Sequence, residues 1–507
     1  MTLPLSADVI MLASSGRRVL WHARTGRSLP LPPGDLDDPS PALLDRLRAL
    51  SMLADGPSPE LAALYPARSR LVLVLPDLPA LWLPLPHQRD AGGHAWAERP
   101  LTAAELALWR AMNGARTVAQ VATRAGQPLA EALAFLATLT GPQVQAVQLL
   151  PRPARGREPS LARLVAPDRP TAPRTGDQHG AEGQTTLLGY HQQAITDGAT
   201  HFDDRETTVA HAFARPHPAL AGRPYGAALH QALEARGWLP DDGPVLEIGP
   251  GTGELCEAFL QRAGERGLPR GEVLRLDASP ELLATQERRL PGTRGILGSA
   301  TAIPLPAGSV ALVLCNEVIA DLAAVPCDAR DPAPGPEAAE VQARIHRYGL
   351  AVLPADGDTP SYNLGAWRLL EELHRVLRPG GTAFVSEFGD LDELPTETRH
   401  LDHPEVSIHF GHLLQVAQGL GFEARCLPLV ELLELDTTAR WLSRHSYEGL
   451  RARLRAQGAR LEARTWTVES LSLPWPVEGL EEVTVAEEGP GPVPTRFMAL
   501  LIRRPLL

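Results

Sequence analysis

The chain contains no lysine, since all 48 of its basic residues are arginine, and this excludes catalysis through a lysine Schiff base. Cysteine is also scarce: 4 thiols lie far apart in 507 residues. That spacing matches neither a disulfide framework nor a zinc site, and it indicates a reducing, cytoplasmic compartment. The net charge of −12 argues against nonspecific binding to nucleic acid or anionic membranes. We find no secretion signal and no long apolar run, so we expect no membrane span.

Proline and glycine, in contrast, are abundant, with 49 and 44 residues, which points to turns and linkers. A chain of this length predicts two or three domains. Residues 152–185 are rich in proline, arginine and glycine and have no sustained apolar period, so we predict a disordered linker. The linker divides a module at 1–151 from a larger domain at 186–507. Within the larger domain, residues 326–364 form a long insertion, much of it loop, which is a candidate substrate lid.

The most informative segment is a glycine-rich turn after a short apolar strand at residues 245–248. The glycines of the turn are Gly249, Gly251 and Gly253. An amphipathic helical pattern begins near Leu255, so strand, turn and helix open a doubly wound α/β sheet. Glycine lets the backbone approach a ligand closely, and the helix N-terminus behind it favours negative charge. The alternative is a glycine turn that binds nothing.

Acidic residues distinguish between possible ligands. Glu247 lies inside the strand, where a carboxylate disfavours nucleotide phosphates but suits a cationic group such as the ammonium or sulfonium of S-adenosylmethionine. Asp277 ends the next strand, at the place where dinucleotide folds carry a ribose-binding carboxylate. Ser279 then caps a helix that begins at Pro280. The predicted cofactor-binding residues are Glu247, Gly249, Gly251, Gly253, Leu255, Asp277, Ala278, Ser279, Ser299, Ala300 and Asn316.

These motifs resemble the class I S-adenosylmethionine-dependent methyltransferases. Residues 298–313 are similar to the family's region between the third and fourth strands, although Ser299 stands where the family usually has an adenine-binding aspartate. The resemblance implies that Ser299 or the backbone of Ala300 contacts adenine. Asn316 follows the fourth strand, at the edge where such sheets bind ligands. The expected fold class is α/β, a Rossmann-like sheet whose last strand runs in reverse.

Three segments resemble the MidA family of methyltransferases in particular. They are residues 247–255, residues 276–286 with their Ser-Pro-Leu and Gln set, and residues 315–321 with their Asn-Glu pair. The mitochondrial member of that family methylates protein arginine during complex I assembly. The resemblance covers about residues 186–430 and implies an arginine acceptor. Glu387 to Asp390 stand in place of the family's Asp-Tyr-Gly strand end.

Four acidic residues are candidates for binding an arginine acceptor. Methyl transfer is an in-line displacement, so the protein chiefly positions the nucleophile and excludes water. Carboxylates can orient a guanidinium and accept its proton. If a helix follows the fourth strand, Glu317 and Asp321 are one turn apart, while Glu387 and Asp390 end the fifth strand. The alternative for each acid is helix capping or solvation.

Other polar residues are weaker candidates. His409 or His201 could act as a base for an alcohol or carboxylate acceptor, although a lone histidine is more often structural. Asp203, Glu206 and Thr207 correspond loosely to a MidA segment that lines the active site, with capping or surface pairing as the alternative.

The first 151 residues predict a winged-helix-like α+β module. We expect three short strands before residue 32, a helix at 42–54, strand at 71–84, helices at 101–112, 117–122 and 129–139, and a strand at 144–150. This order resembles PqqD-type elements that bind leader peptides of ribosomally made peptides, which implies a polypeptide partner. DNA binding is disfavoured because residues 127–139 contain no basic side chain. A structural or dimerising role is the alternative.

Three functions follow from these patterns. The first is a protein or peptide arginine methyltransferase whose N-terminal module recruits the substrate. The second is a small-molecule O- or N-methyltransferase of secondary metabolism, with the module serving dimerisation. The third is a scaffold that retains the fold without catalysis, which the intact glycine and acidic motifs disfavour. Later elements are predicted as helices at 367–377 and 407–421 and strands at 382–386, 430–435 and 497–502.

Overall fold

A computed structural model describes residues 5–14, 17–31, 39–54, 60–69, 72–75, 77–90, 93–154, 208–266, 272–330, 335–354, 359–400, 403–459, 461, 466–471, 473, 475–484 and 494–506. Its strands are β1 (Val9–Ser14), β2 (Arg17–His22), β3 (Arg27–Leu31), β4 (Tyr65–Arg68), β5 (Leu73–Leu75), β6 (Ala80–Asp90), β7 (Gly93–Pro100), β8 (Val147–Leu150), β9 (Val245–Ile248), β10 (Val273–Asp277), β11 (Arg294–Leu297), β12 (Val310–Asn316), β13 (Val325–Pro326), β14 (Ser361–Tyr362), β15 (Leu377–Asp390), β16 (Glu397–His400), β17 (His403–Val406), β18 (Ile408–His409), β19 (Glu423–Pro428), β20 (Arg440–Leu442), β21 (Glu482–Thr484) and β22 (Phe497–Arg503).

The α-helices are α1 (Pro41–Ala49), α2 (Ala103–Ala111), α3 (Val118–Ala125), α4 (Leu129–Leu139), α5 (Val209–Ala212), α6 (Tyr225–Ala235), α7 (Glu254–Glu265), α8 (Pro280–Arg289), α9 (Pro336–Tyr348), α10 (Leu364–Val376), α11 (Phe410–Gly419), α12 (Leu429–Leu432) and α13 (Arg444–Ala456). They belong to two compact units. The first unit comprises Met1–Glu182, Leu442–Leu461 and Trp466–Glu482, and the remaining segments form the second. Of the helices described above, none is long and apolar enough to cross a membrane.

In the first unit, helices α2, α3 and α4 form where the sequence predicted them. Thr102 begins α2 and Thr117 begins α3, each in a capping box that satisfies two backbone N–H groups. Strands β1, β2 and β3 form one antiparallel sheet, and β5, β6 and β7 form another. The single strand predicted at 71–84 is thus divided between β5 and β6, which continue into β7 as a three-stranded meander. Helix α1 ends at Ala49 rather than at residue 54. The comparison with a winged helix stays a prediction.

Helix α13 belongs to this first unit, although it lies far along the chain. It packs on β6 and β7, and the indole of Trp82 donates a hydrogen bond of 2.9 Å to the carbonyl of Gly449. The predicted boundaries placed every residue after 185 in one domain. The structure instead assigns 442–461 and 466–482 to the first unit, where Ala452 of α13 and apolar side chains of residues 475–480 pack against Leu73, Leu75 and Trp82 of the N-terminal segment.

The second unit is built on one mixed sheet with the order β11-β10-β9-β12-β15-β22-β19. Neighbouring strands from β11 through β10, β9 and β12 to β15 pair in parallel, while β22 pairs antiparallel with both of its neighbours, β15 and β19. This confirms the expected Rossmann-like sheet with a reversed last strand. Leu312 and Leu314 face a core that includes α6 and α7, whereas Val313 and Cys315 face a core that includes α10 and α11. The strand is continuously apolar because both of its faces are buried.

One expectation for this unit is wrong. Residues 430–435 were expected to be a strand, but the strand is β19 and the next residues form helix α12. A short apolar run does not distinguish strand from helix. Much of the insertion 326–364 was expected to be loop, and within it the structure adds the 13-residue helix α9, whose Val341 is fully buried in the core. Pro336 at its start and Gly349 at its end are the signals that predict this helix.

Candidate active site

The glycine turn joins β9 to α7 at the carboxyl edge of the sheet. Gly249, Gly251 and Gly253 have φ values of +61°, +59° and +92°, the left-handed region that favours glycine. A Cβ atom at Gly249 would lie 2.5 Å from a methyl group of Val318. Backbone conformation therefore favours glycine at all three positions, and close packing adds to this at Gly249. Leu255, one of the predicted cofactor residues, is buried in the core beside this turn.

Glu247 lies below the turn and is only 3% exposed. Burial raises the pKa of Glu247 to about 8, and the Cys256 thiol opposes this shift by a hydrogen bond to the carboxylate. The Oε2 atom has no hydrogen-bond partner among the described residues. A buried carboxyl group with one unsatisfied oxygen is costly unless a ligand or a cation completes its bonding. The raised pKa keeps this carboxyl group mostly protonated at neutral pH, so it would meet a ligand as a hydrogen-bonding group.

Asp277 ends β10 with its carboxylate held from two sides. Its Oδ1 accepts a hydrogen bond of 2.8 Å from the backbone N–H of Ser279, and its Oδ2 accepts one of 2.8 Å from Gln286. Ser279 also caps α8, as the sequence predicted. Ala278, between them, is partly buried. The carboxylate is therefore fixed in orientation before any ligand arrives.

Ser299 and Ala300 follow β11 in a tight turn. The Ser299 hydroxyl lies 3.0 Å from the Thr301 hydroxyl and accepts a hydrogen bond of 3.2 Å from the Thr301 backbone N–H. Ala300 is 8% exposed and packs in the core. Their predicted contact with adenine stays a prediction.

A third acid near the turn was not among the predicted residues. Glu254 begins α7, accepts a hydrogen bond of 2.6 Å from Thr252, pairs with Arg289, and lies 3.7 Å from His211. Burial alone would raise the pKa of Glu254, but these partners lower it to about 2. The acid directly after Gly253 was visible in the sequence, whereas its partners on α5 and α8 were not.

We expect this arrangement to make stability depend on pH. Glu254 has an ordinary pKa of 4.5 and a folded pKa of about 2, so its stabilisation of about 3 kcal/mol is present above pH 4.5 and disappears as the pH falls to about 2. Urea unfolding of the wild type should show this loss, and Glu254→Gln should lack it. Glu257→Gln, which changes a more exposed carboxylate on the same helix, is the control. Equal pH dependence in all three proteins would contradict the assignment.

Asn316 lies at the end of β12 within a polar network. Its Oδ1 accepts hydrogen bonds from the Tyr225 hydroxyl at 2.6 Å and the Ser386 hydroxyl at 2.8 Å, so its Nδ2 faces Glu317, to which it donates at 2.8 Å. Burial, followed by the charge of Glu317, raises the pKa of Tyr225, so the hydroxyl remains a donor. Tyr225 and Ser386 carried no local sequence signal for this role.

Glu317 does not begin a helix, so the expectation that it lies one α-helical turn from Asp321 is wrong. Its φ is +55°, a conformation that is unfavourable for a non-glycine residue, and a short 3-10 turn over Ile319–Asp321 follows. Its carboxylate accepts a hydrogen bond of 2.7 Å from the backbone N–H of Val209, at the start of α5.

Glu387 nevertheless lies close to both predicted partners. Burial, followed by the charge of Glu317, raises the pKa of Glu387 well above its ordinary value, and Asp321 adds to the shift. The backbone N–H of Ala320 donates to Glu387 Oε2 at 3.2 Å. We call Glu317, Asp321 and Glu387 the carboxylate cluster. Three predicted acids therefore meet where β12 and β15 end.

Asp390 and His409 form a separate pair, since β15 and β18 align them in register. Asp390 caps a turn by accepting from the backbone N–H of Asp392 at 2.9 Å. His409 Nδ1 accepts from the backbone N–H of His412 at 3.1 Å, and burial lowers the pKa of the His409 ring. The neutral ring therefore carries its proton on Nε2 and presents a donor there, not a base. His201, Asp203, Glu206 and Thr207 lie outside the described residues.

Residues 246–330 match the family model of the methyltransferase domain. Uncharacterized methyltransferases of Mycobacterium bovis and Mycobacterium tuberculosis are 41% identical over 70 residues, which is 14% of this chain and 26% of each relative. The chain thus spans about a quarter of the length of these curated relatives. A possible histamine N-methyltransferase of Thermotoga maritima is similar at 15% identity and a TM-score of 0.27, over 55% of this chain and 88% of that one.

A methyltransferase of Burkholderia thailandensis, solved with S-adenosylhomocysteine, is similar at 14% identity and a TM-score of 0.27, over 55% of this chain and 80% of that one. The two structures are too distant to indicate an acceptor. The matched segment, together with the strand order, defines a class I methyltransferase domain whose cofactor is S-adenosylmethionine. The predicted enzyme class and cofactor are confirmed. Glu247, the glycine turn and Asp277 are the residues that would hold it.

Proposed function

We propose that the chain transfers a methyl group from S-adenosylmethionine to a nitrogen atom of arginine in a polypeptide. The carboxylate cluster carries this proposal. Its three acids lie at the carboxyl ends of β12 and β15, the sheet edge to which the glycine turn also belongs. A concentration of acids beside a methyl donor suits a cationic acceptor and disfavours an anionic one.

The residues of the cluster have different tasks in this reaction. Bound cofactor supplies an electrophilic methyl group, and transfer forms a carbon–nitrogen bond as the carbon–sulfur bond breaks. Burial, followed by the charge of Glu317 and then that of Asp321, raises the pKa of Glu387 and favours its neutral form, so we assign recognition of the cationic acceptor to Glu317 and Asp321. These two attract a guanidinium and orient its nitrogen. A carboxylate of the cluster accepts the proton that the nitrogen must lose, which relieves repulsion among the acids.

Two resemblances support the polypeptide acceptor. The motifs around Glu247, Asp277 and Asn316 are similar to those of the MidA family, to which a protein arginine methyltransferase belongs. The first unit has helices and strands in an order similar to PqqD-type elements, so we propose that it recruits the polypeptide. Dimerisation and a cytoplasmic location stay predictions.

The test is transfer of labelled methyl from S-adenosylmethionine into an extract of the source organism, followed by acid hydrolysis and mass analysis of amino acids. We expect label in methylarginine. Asp321→Asn should lower transfer about a hundredfold, as expected for loss of a group that accepts a proton. Asp241→Asn, a change of an exposed acid in the same unit, is the control and should leave transfer unchanged.

Label found only in small molecules would contradict the polypeptide acceptor and favour a metabolite methyltransferase. Normal transfer by Asp321→Asn would contradict the role of the carboxylate cluster. Cofactor binding without transfer to any component of the extract would favour the scaffold function.

A further inference from the structure

Gln286 ties together two parts of the cofactor site. It lies on α8 and its side chain is fully buried. Its Nε2 atom donates to the backbone carbonyl of Gly251 at 2.9 Å and to Asp277 Oδ2 at 2.8 Å. One amide nitrogen has two N–H groups, so both are used. The glycine turn and the end of β10 are therefore joined through a single atom of α8.

Arg275 fixes which way the Gln286 amide points. Its guanidinium is fully buried, donates to Gln286 Oε1 at 3.2 Å, and is held in turn by Thr293 at 2.7 Å and Glu287 at 2.6 Å. Because arginine can only donate, the oxygen of the amide must face Arg275. The nitrogen must then face Gly251 and Asp277. This chain of contacts needs no water or ligand to set its direction.

We propose that Gln286 is a positioning residue that sets cofactor affinity by orienting the Asp277 carboxylate. The inference rests on the proposed function, because it assumes that Asp277 accepts hydrogen bonds from the ribose of the cofactor. A carboxylate that is oriented beforehand loses less freedom when the ribose hydroxyls bind. A residue that only filled space at this position would contribute equally to any ligand.

The test measures binding of S-adenosylhomocysteine, and of its analogue without the two ribose hydroxyls, by calorimetry on the full chain. Gln286→Met keeps the size of the side chain but donates no hydrogen bond. We expect it to weaken S-adenosylhomocysteine binding about tenfold to a hundredfold, as for a lost hydrogen bond to a charged group. Binding of the analogue should weaken by about threefold or less. Arg288→Gln, an exposed change on the same helix, is the control.

Gln286→Glu separates orientation from packing. It keeps the size and planarity of the amide and the acceptor for Arg275, but it places a carboxylate oxygen against Asp277. It should therefore bind S-adenosylhomocysteine more weakly than Gln286→Met does. Thermal unfolding without ligand verifies that both variants are folded.

Equal losses for the two ligands, or a Gln286→Glu variant that binds as well as the wild type, would overturn the positioning role. Neither result would contradict the proposed methyl transfer. Absence of S-adenosylhomocysteine binding to the wild type would instead overturn the proposed function, and this inference with it. The two failures are thus distinguishable in one experiment.

Discussion

Gly226→Ala is expected to lower the free energy of unfolding by about 3 kcal/mol, at the upper end of what overpacking costs. Gly226 lies in α6, and a Cβ atom there would stand 2.2 Å from the carbonyl oxygen of Leu255 and 2.8 Å from the backbone nitrogen of Phe259. Both atoms belong to the backbone of α7, so no rotamer change can relieve the clash. Alanine favours a helix by about 1 kcal/mol over glycine, which offsets only part of the strain.

The same substitution should also weaken cofactor binding, because Leu255 follows directly on the glycine turn. Moving α7 away from α6 displaces Gly253 at its start. Urea unfolding gives the stability, and calorimetry with S-adenosylhomocysteine gives the affinity. Gly335→Ala is the control, since a Cβ atom at Gly335 meets nothing within 4 Å and its φ of −64° suits alanine. If Gly226→Ala were as stable as Gly335→Ala, the two helices would not be in backbone contact.

Local signals predicted much of the methyltransferase domain. The glycine turn, the cap at Ser279 and the strand that ends at Asp277 each depend on residues within a few positions of one another. Such features are set by backbone preferences that the sequence displays directly. The reversed final strand was expected from the family resemblance rather than from the residues themselves.

Features that depend on distant residues were not predicted. Glu317 was expected to begin a helix, but it has a left-handed backbone and its carboxylate accepts a hydrogen bond from the backbone N–H of Val209, far away in sequence. Tyr225 is far from Asn316 in sequence, so nothing nearby indicated their hydrogen bond. Gln286 was noticed as part of a motif, but its contacts with Gly251 and Asp277 appear only when α8 is packed on the sheet. Patterns in the sequence therefore located the site but not the hydrogen bonds between distant residues that hold its side chains in place.

The assignment of α13 to the first unit also depends on contacts between residues that are distant in sequence. It leads to a second prediction, which concerns the folding of the first unit. Residues 1–182 expressed alone are expected not to fold cooperatively. Without α13, the indole of Trp82 loses its acceptor at Gly449 and the Arg453 guanidinium that lies 5.2 Å from its ring centroid. Val74 also loses the two backbone hydrogen bonds, of 2.9 and 3.0 Å, that it exchanges with Glu478. An edge strand of the sheet is then left open.

The cost of this loss is comparable to the stability of a whole domain. Leu73, Leu75 and Trp82 share a core with Trp475 and other residues of the 442–482 segment. Exposing each large apolar side chain costs about 1.5–3 kcal/mol, so a few of them approach the 5–15 kcal/mol that stabilises a typical domain. We therefore expect residues 1–182 to show no cooperative thermal transition and weak near-ultraviolet circular dichroism.

Fusion of residues 442–482 to residues 1–182 through a flexible linker should restore a cooperative transition, and it is the matched control. In the fused protein, Gly449→Leu should remove the transition again, because a Cβ atom at Gly449 would lie 2.7 Å from the Trp96 ring. A cooperative transition for residues 1–182 alone would show that the N-terminal segment is sufficient for this fold. If the fusion is required, peptide recruitment by the first unit can be tested only with both segments present, since binding surfaces on an unfolded fragment are lost together with its core.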